Sequence, residues 1–123
     1  MRYFMTIMPP REVDSGERPV PQSLMDAMGP YIEKVVASGA LISTGGLKNS
    51  GTGVRLTGNG DRISVMDGPF AETKEIVGGY AVFECPSKAE AIQAATDFVN
   101  LHIEHGMPDI VVEVREIAGG YNV

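Results

Sequence analysis

Apolar and polar residues alternate from Arg2 to Met8, with Tyr, Phe and Ile among them, and this predicts a β-strand. Pro9-Pro10 stops it. Arg11 to Pro21 is charged and carries Gly and Pro, which predicts an exposed loop long enough to act as a lid or rim. Leu24, Met28, Tyr31, Ile32 and Val35 then fall at helical spacing and predict a helix from Gln22 to Ser38. Pro30 frees the carbonyl of Asp26 and crowds it, so the helix is expected to kink there or to restart with Pro30 in a first turn. Gly39 suits a left-handed cap.

A second strand is expected over Ala40 to Leu47, with Gly45-Gly46 read as a bulge, followed by a turn-rich loop from Lys48 to Gly53. Val54 to Thr57 and Arg62 to Asp67 predict a hairpin around Gly58-Asn59-Gly60-Asp61. Gly68 to Gly78 reads as a connection, and Gly79 to Cys85 as a strongly strand-like run. Ser87 and Glu90 form a capping box that opens a helix from Lys88 to about His105, closed by Gly106 and Pro108. Ala91, Ala95, Phe98, Val99 and His102 share its apolar face. Ile110 to Ile117 is the last strand, and Ala118 to Val123 a short tail.

The order β-α-β-(hairpin)-β-α-β predicts an α+β fold, a ferredoxin-like plait, as one domain over residues 1–123. Two helices cover one face of such a sheet and leave the other open. Alternation puts Val111, Glu113, Arg115 and Ile117 on one side of the last strand and Val112 and Val114 on the other. It likewise sets Tyr80, Val82 and Glu84 against Ala81 and Phe83. An open face that mixes apolar bodies with charges suits a homodimer whose two sheets enclose a partly polar cavity.

Charge narrows the partners. Ten Lys and Arg against sixteen Asp and Glu leave a formal net charge of -6, which argues against a phosphate-backbone binder. No run approaches the roughly 20 apolar residues of a membrane span. The opening MRYFMTIMPP is too short for a signal segment. A cytoplasmic protein is expected, with no direct contact to nucleic acid or membrane. The single cysteine, Cys85, lies before Pro86 with no basic neighbour, and reads as an inert thiol. His102 and His105 sit three apart with no third ligand evident, so neither a metal nor a cofactor is expected.

The densest chemistry lies in DGPFAETKE, Asp67 to Glu75. Gly68-Pro69 forces a turn whose amides the Asp67 carboxylate can accept. Asp67 and Glu72 could share a proton while Lys74 positions a substrate, which makes these three the catalytic candidates. The plain alternative is that Asp67 caps a turn and the Glu and Lys side chains are solvated. Arg115 and Arg55 can clamp an anion if they line the cavity, although Glu113 on the same face as Arg115 can neutralise it. Phe70 in the same turn, and the hydroxyls of Tyr31 and Tyr80, complete the ligand-binding candidates.

DGPFAETKE followed by GGYAVFE resembles the YCII-related, DGPF-motif family of small bacterial proteins. The opening RYFMTIM, the SGALISTGGL strand, Val54-Arg55 and the closing EVRE fall in the family's order, so the resemblance runs nearly end to end. It implies a ferredoxin-like fold that pairs as a dimeric α/β barrel. Some relatives in the wider group resemble lyases or dehydrohalogenases that act on small ring compounds through a His-Asp pair. Their histidine lies near the start of the first long helix, where Pro21 to Asp26 has none, so that mechanism does not carry over. Other relatives resemble companions of extracytoplasmic-function sigma factors. Three functions are therefore expected to compete: a small-molecule binder or enzyme with its cavity near the DGPF turn, a non-catalytic interaction module for a sigma factor, and a purely architectural motif.

Overall fold

The computed structural model describes residues 1–70 and 76–120. Its elements are β1 (Arg2–Met8), α1 (Arg11–Ser15), α2 (Gln22–Ala37), β2 (Leu41–Gly46), β3 (Val54–Asn59), β4 (Arg62–Asp67), β5 (Gly79–Glu84), α3 (Lys88–Glu104) and β6 (Val111–Glu116), with a 3-10 turn at Ser50–Thr52. The fold is mixed α+β. The four strands of the main sheet run in the order β2-β5-β1-β6, with antiparallel neighbours throughout. Without the inserted hairpin, that order is consistent with a ferredoxin-like plait.

Alternation fixes the two faces. Tyr3 and Met5 of β1 and Ala81 and Phe83 of β5 point under the helices and are buried. Ile7, Leu41, Val112 and Val114 pack against them. From α3 come Ala91, Ala95, Phe98 and His102, spaced by four, three and four residues, so one stripe of that helix enters the core. Ser87 caps α3 as expected, its hydroxyl accepting the Glu90 amide at 3.2 Å. On the opposite face Phe4, Glu84, Val111, Glu113 and Arg115 are exposed.

Several local expectations change. Arg11 to Pro21 is not wholly loop: its first five residues form α1, capped by Gly16 at φ 84°. Helix α2 runs unbroken through Pro30 and neither restarts nor ends there. Gly39 does take the left-handed conformation, φ 79°. The irregularity in β2 lies between Leu41 and Ser43 and not at Gly45-Gly46. The first hairpin strand runs two residues further than expected while the second keeps its expected bounds, and Asn59 pairs with Arg62. Its turn is thus Gly60-Asp61, with Gly60 at φ 69°, a value glycine adopts without cost.

The hairpin forms a sheet of its own. Val54, Leu56, Val65 and Ile63 lie on one side of it by register, and they are 51%, 62%, 64% and 72% exposed. Arg55, Thr57, Ser64 and Arg62 lie on the other. Among the described residues neither strand packs substantially on any other element. No helix among the described residues is long and apolar enough to cross a membrane.

Candidate functional site

The expected site residues fall into three places. Asp67, Arg55 and Phe70 lie at the base of the hairpin, with Arg55 against Phe70 and Asp67 on the opposite face of the ribbon by register. Tyr80 and Arg115 lie on the open sheet face. Tyr31 lies on the core-facing side of α2. Glu72 and Lys74 are outside the described residues.

The hairpin base is built as a latch. The Asp14 carboxylate of α1 accepts the Ser50 amide at 2.9 Å and also the Ser50 hydroxyl. Those bonds set the 3-10 turn, whose Ser50 carbonyl accepts from Gly53; the Gly53 carbonyl in turn accepts from Gly68 at 2.9 Å. Gly68 is pressed so closely on that turn that a Cβ there would lie 1.8 Å from the Ser50 oxygen. Asp67 closes the last pair of the hairpin, opposite Val54. Phe70 packs near Gly53, and the Arg55 guanidinium sits 4.4 Å from the Phe70 ring centroid. A hollow beside the latch is lined by Arg11, Glu12, Asp14, Asn49, Ser50 and Phe70, among others.

The open face carries a different group. Phe4 and Tyr80 stack with centroids 6.0 Å apart and planes 10° from parallel. Phe4 is paired across the sheet with Arg115, so it stands between two expected ligand residues. The Tyr80 hydroxyl lies 3.5 Å from that of Ser43. Gly45 makes room for this ring, since a Cβ would meet it at 3.0 Å. Phe4 was not expected at a site. Its place in the alternation with Tyr3 and Met5 was the available signal.

The third place is a cavity of about 290 Å³ between α2 and the main sheet. Met28, Tyr31, Ile32 and Val35 of α2 and Phe98 of α3 wall one side. Met5, Leu41 and Phe83 wall the other, and Gly45, Gly46, Gly78 and Gly79 line one end. No charged side chain lines it among the described residues, and Tyr31 and Thr44 bring the side-chain hydroxyls. Burial, with a smaller effect from the Asp97 charge, pushes the Tyr31 phenol above its usual value, so it keeps its proton. The sequence signal for this cavity was the pair of Gly-Gly doublets, at 45–46 where β2 ends and at 78–79 where β5 begins.

The remaining candidates are anchored inside the chain. The His102 Nδ1–H donates to the Phe98 carbonyl at 2.9 Å, and its ring lies 4.5 Å from that of Phe98. The Cys85 thiol donates to the Ser87 carbonyl, and burial pushes its pKa up. Among the described residues, no three His, Cys, Asp or Glu side chains converge as a metal site.

The family model of the YCII-related domain matches residues 1–103. An uncharacterized protein of Rhizobium meliloti (strain 1021) is 35% identical over 85 residues, which is 69% of this chain. The match spans 65% of that relative's own length.

Proposed function

The chain belongs to the YCII-related domain family, and from that premise we propose that it is a small-molecule-binding protein that works as a cytoplasmic homodimer. One observation carries the reading: the carbon-lined cavity of about 290 Å³ beneath α2. Concave, mostly apolar chambers with a few polar groups are the usual form of small-ligand sites. The ligand is placed there in preference to the DGPF turn. Beside that turn the Asp14 carboxylate of α1 accepts twice from Ser50, and Gly68 is pressed against the Ser50 carbonyl, so the described part of the motif serves to aim the hairpin. Asp67 remains the candidate for proton transfer if a reaction accompanies binding, with Glu72 and Lys74 as its sequence neighbours.

The dimer is supported by two unpartnered surfaces on one chain: the open sheet face with Phe4 and Val111, and the aliphatic side of the hairpin. Facing sheets would form the dimeric α/β barrel and bring Tyr80 and Arg115 against the second copy. The second reading, an interaction module that contacts an extracytoplasmic-function sigma factor, is favoured by that same bare hairpin.

A thermal-shift screen of small organic compounds tests the assignment. Met28→Trp, which fills the cavity, is expected to abolish the shift given by any hit, and Phe70→Ala to keep it. The reverse pattern would move the ligand to the DGPF turn. No hit at all, with a sigma factor captured in its place, would favour the second reading.

A further inference from the structure

The four glycines at the end of the cavity are not alike. A Cβ on Gly45 would strike the Tyr80 ring at 3.0 Å, and one on Gly78 would lie 2.7 Å from Pro9. A Cβ on Gly79 would lie 3.1 Å from the Gly45 oxygen. Packing within the chain accounts for all three. Gly46 is different. Among the described residues nothing lies within 4 Å of the Cβ it lacks, and its φ is not in the left-handed region. It shares a strand face with Thr44, which lines the cavity, and it pairs with Gly79 on the helix-facing side of β5. Gly46 is itself exposed, so its missing side chain would stand at the open rim of the cavity, on the helix-facing side. Glycine within a strand costs stability, and it commonly marks a place where a ligand or another backbone comes close.

We propose that Gly46 is a specificity-determining residue that keeps the cavity long enough for a neutral, mostly hydrocarbon molecule of about two fused rings, bearing one oxygen that accepts from the Tyr31 hydroxyl. The proposal rests on the binding reading above and adds the class of ligand. Volume sets the size: an apolar cavity of about 150 Å³ holds benzene, and this one has about 290 Å³. Charge is excluded by the lining, because an ion would lose its water with no counter-charge among the described residues. Tyr31, Phe83 and Phe98, with the sulfurs of Met5 and Met28, favour a flat aromatic guest. The Thr44 hydroxyl already donates to the Tyr80 carbonyl at 2.9 Å, which leaves Tyr31 as the side-chain donor.

The test uses the full chain and titration calorimetry with three probes: phenol, 2-naphthol and 2-naphthoate. The wild type should bind 2-naphthol saturably, and 2-naphthoate about tenfold or more weakly. Gly46→Val should weaken 2-naphthol by about tenfold or more while it leaves phenol within about twofold. That split by size cannot arise from a general loss of fold. Gly46→Ala is the milder second variant and should show the same split to a smaller degree. Equal binding of 2-naphthol by wild type and both variants would overturn the role of Gly46. Stronger binding of 2-naphthoate would overturn the ligand class. A Gly46→Val protein that binds both phenols normally but sediments with a changed oligomeric state would assign the space to a second copy. If the wild type binds neither phenol, the cavity reading itself fails.

Discussion

His102 is a buried imidazole whose neutral form is favoured by its surroundings. Loss of hydration lowers its pKa below the ordinary 6.5, and this outweighs the hydrogen bond to the Phe98 carbonyl, which acts the other way. The folded state therefore binds fewer protons than the unfolded chain in the interval just below pH 6.5. Its contribution to stability is full above that value and drains away as pH falls through 6.5 toward the folded pKa. Urea midpoints should fall between about pH 7.5 and pH 5.5. His102→Gln should be less stable at the higher pH yet show a flatter decline, and parallel curves would place the titration elsewhere. Individual residues were unevenly legible in the sequence. The stripe Ala91, Ala95, Phe98, His102 followed from period alone. The crowding at Gly68 and the open space beside Gly46 did not, because two such glycines look the same in one dimension.

Elements were read best where pattern and punctuation agreed, as at the capped start of α3 and in the alternating β1, β5 and β6. They were read worst where a tertiary contact decides. Helix α1 is only five residues long and lacks a side-chain cap, and Asp14 gives it a docking point on Ser50. Pro30 stays inside α2, so its local penalty is overridden by that helix's packing on the sheet, through Met28 and Tyr31. The hairpin was foreseen; its detachment from the main sheet was not, because alternation reports faces and not neighbours. Its orientation depends on the latch, and Gly68→Ala is expected to disrupt that. The added methyl must displace the Ser50 carbonyl, at a cost of about 1–3 kcal/mol. Denaturant melts should record the loss, and hydrogen exchange should find it concentrated at residues 50–53 and at the hairpin base. A melt unchanged from wild type would mean the turn yields freely.

At the scale of the whole molecule the question is what covers the hairpin. A two-stranded ribbon is marginal in water on its own, and four exposed aliphatic side chains make it more so. A second copy supplies a cover without any further component, and a closed two-fold pair limits the contact to one partner. Leu56→Lys with Val65→Lys should cost the isolated chain little, since both positions are more than half exposed. In the proposed dimer the same pair of charges should shift sedimentation from dimer to monomer at micromolar concentration. A dimer that survives would confine the interface to the open sheet face. The latch also has a bearing on biosynthesis. Asp14 and Ser50 precede the hairpin in the chain, so during translation the mount leaves the ribosome before the part it holds. The two strands of the ribbon zip together within microseconds once made, and they do so with Asp14 and Ser50 already synthesised and only Gly68 still to join the latch. A chain diluted from denaturant enjoys no such sequence of arrival. Its ribbon can close before the bracket does, and for that interval the bare rungs meet other chains instead of their own, so recovery by refolding is a competition with clumping that synthesis from the amino-terminal end avoids.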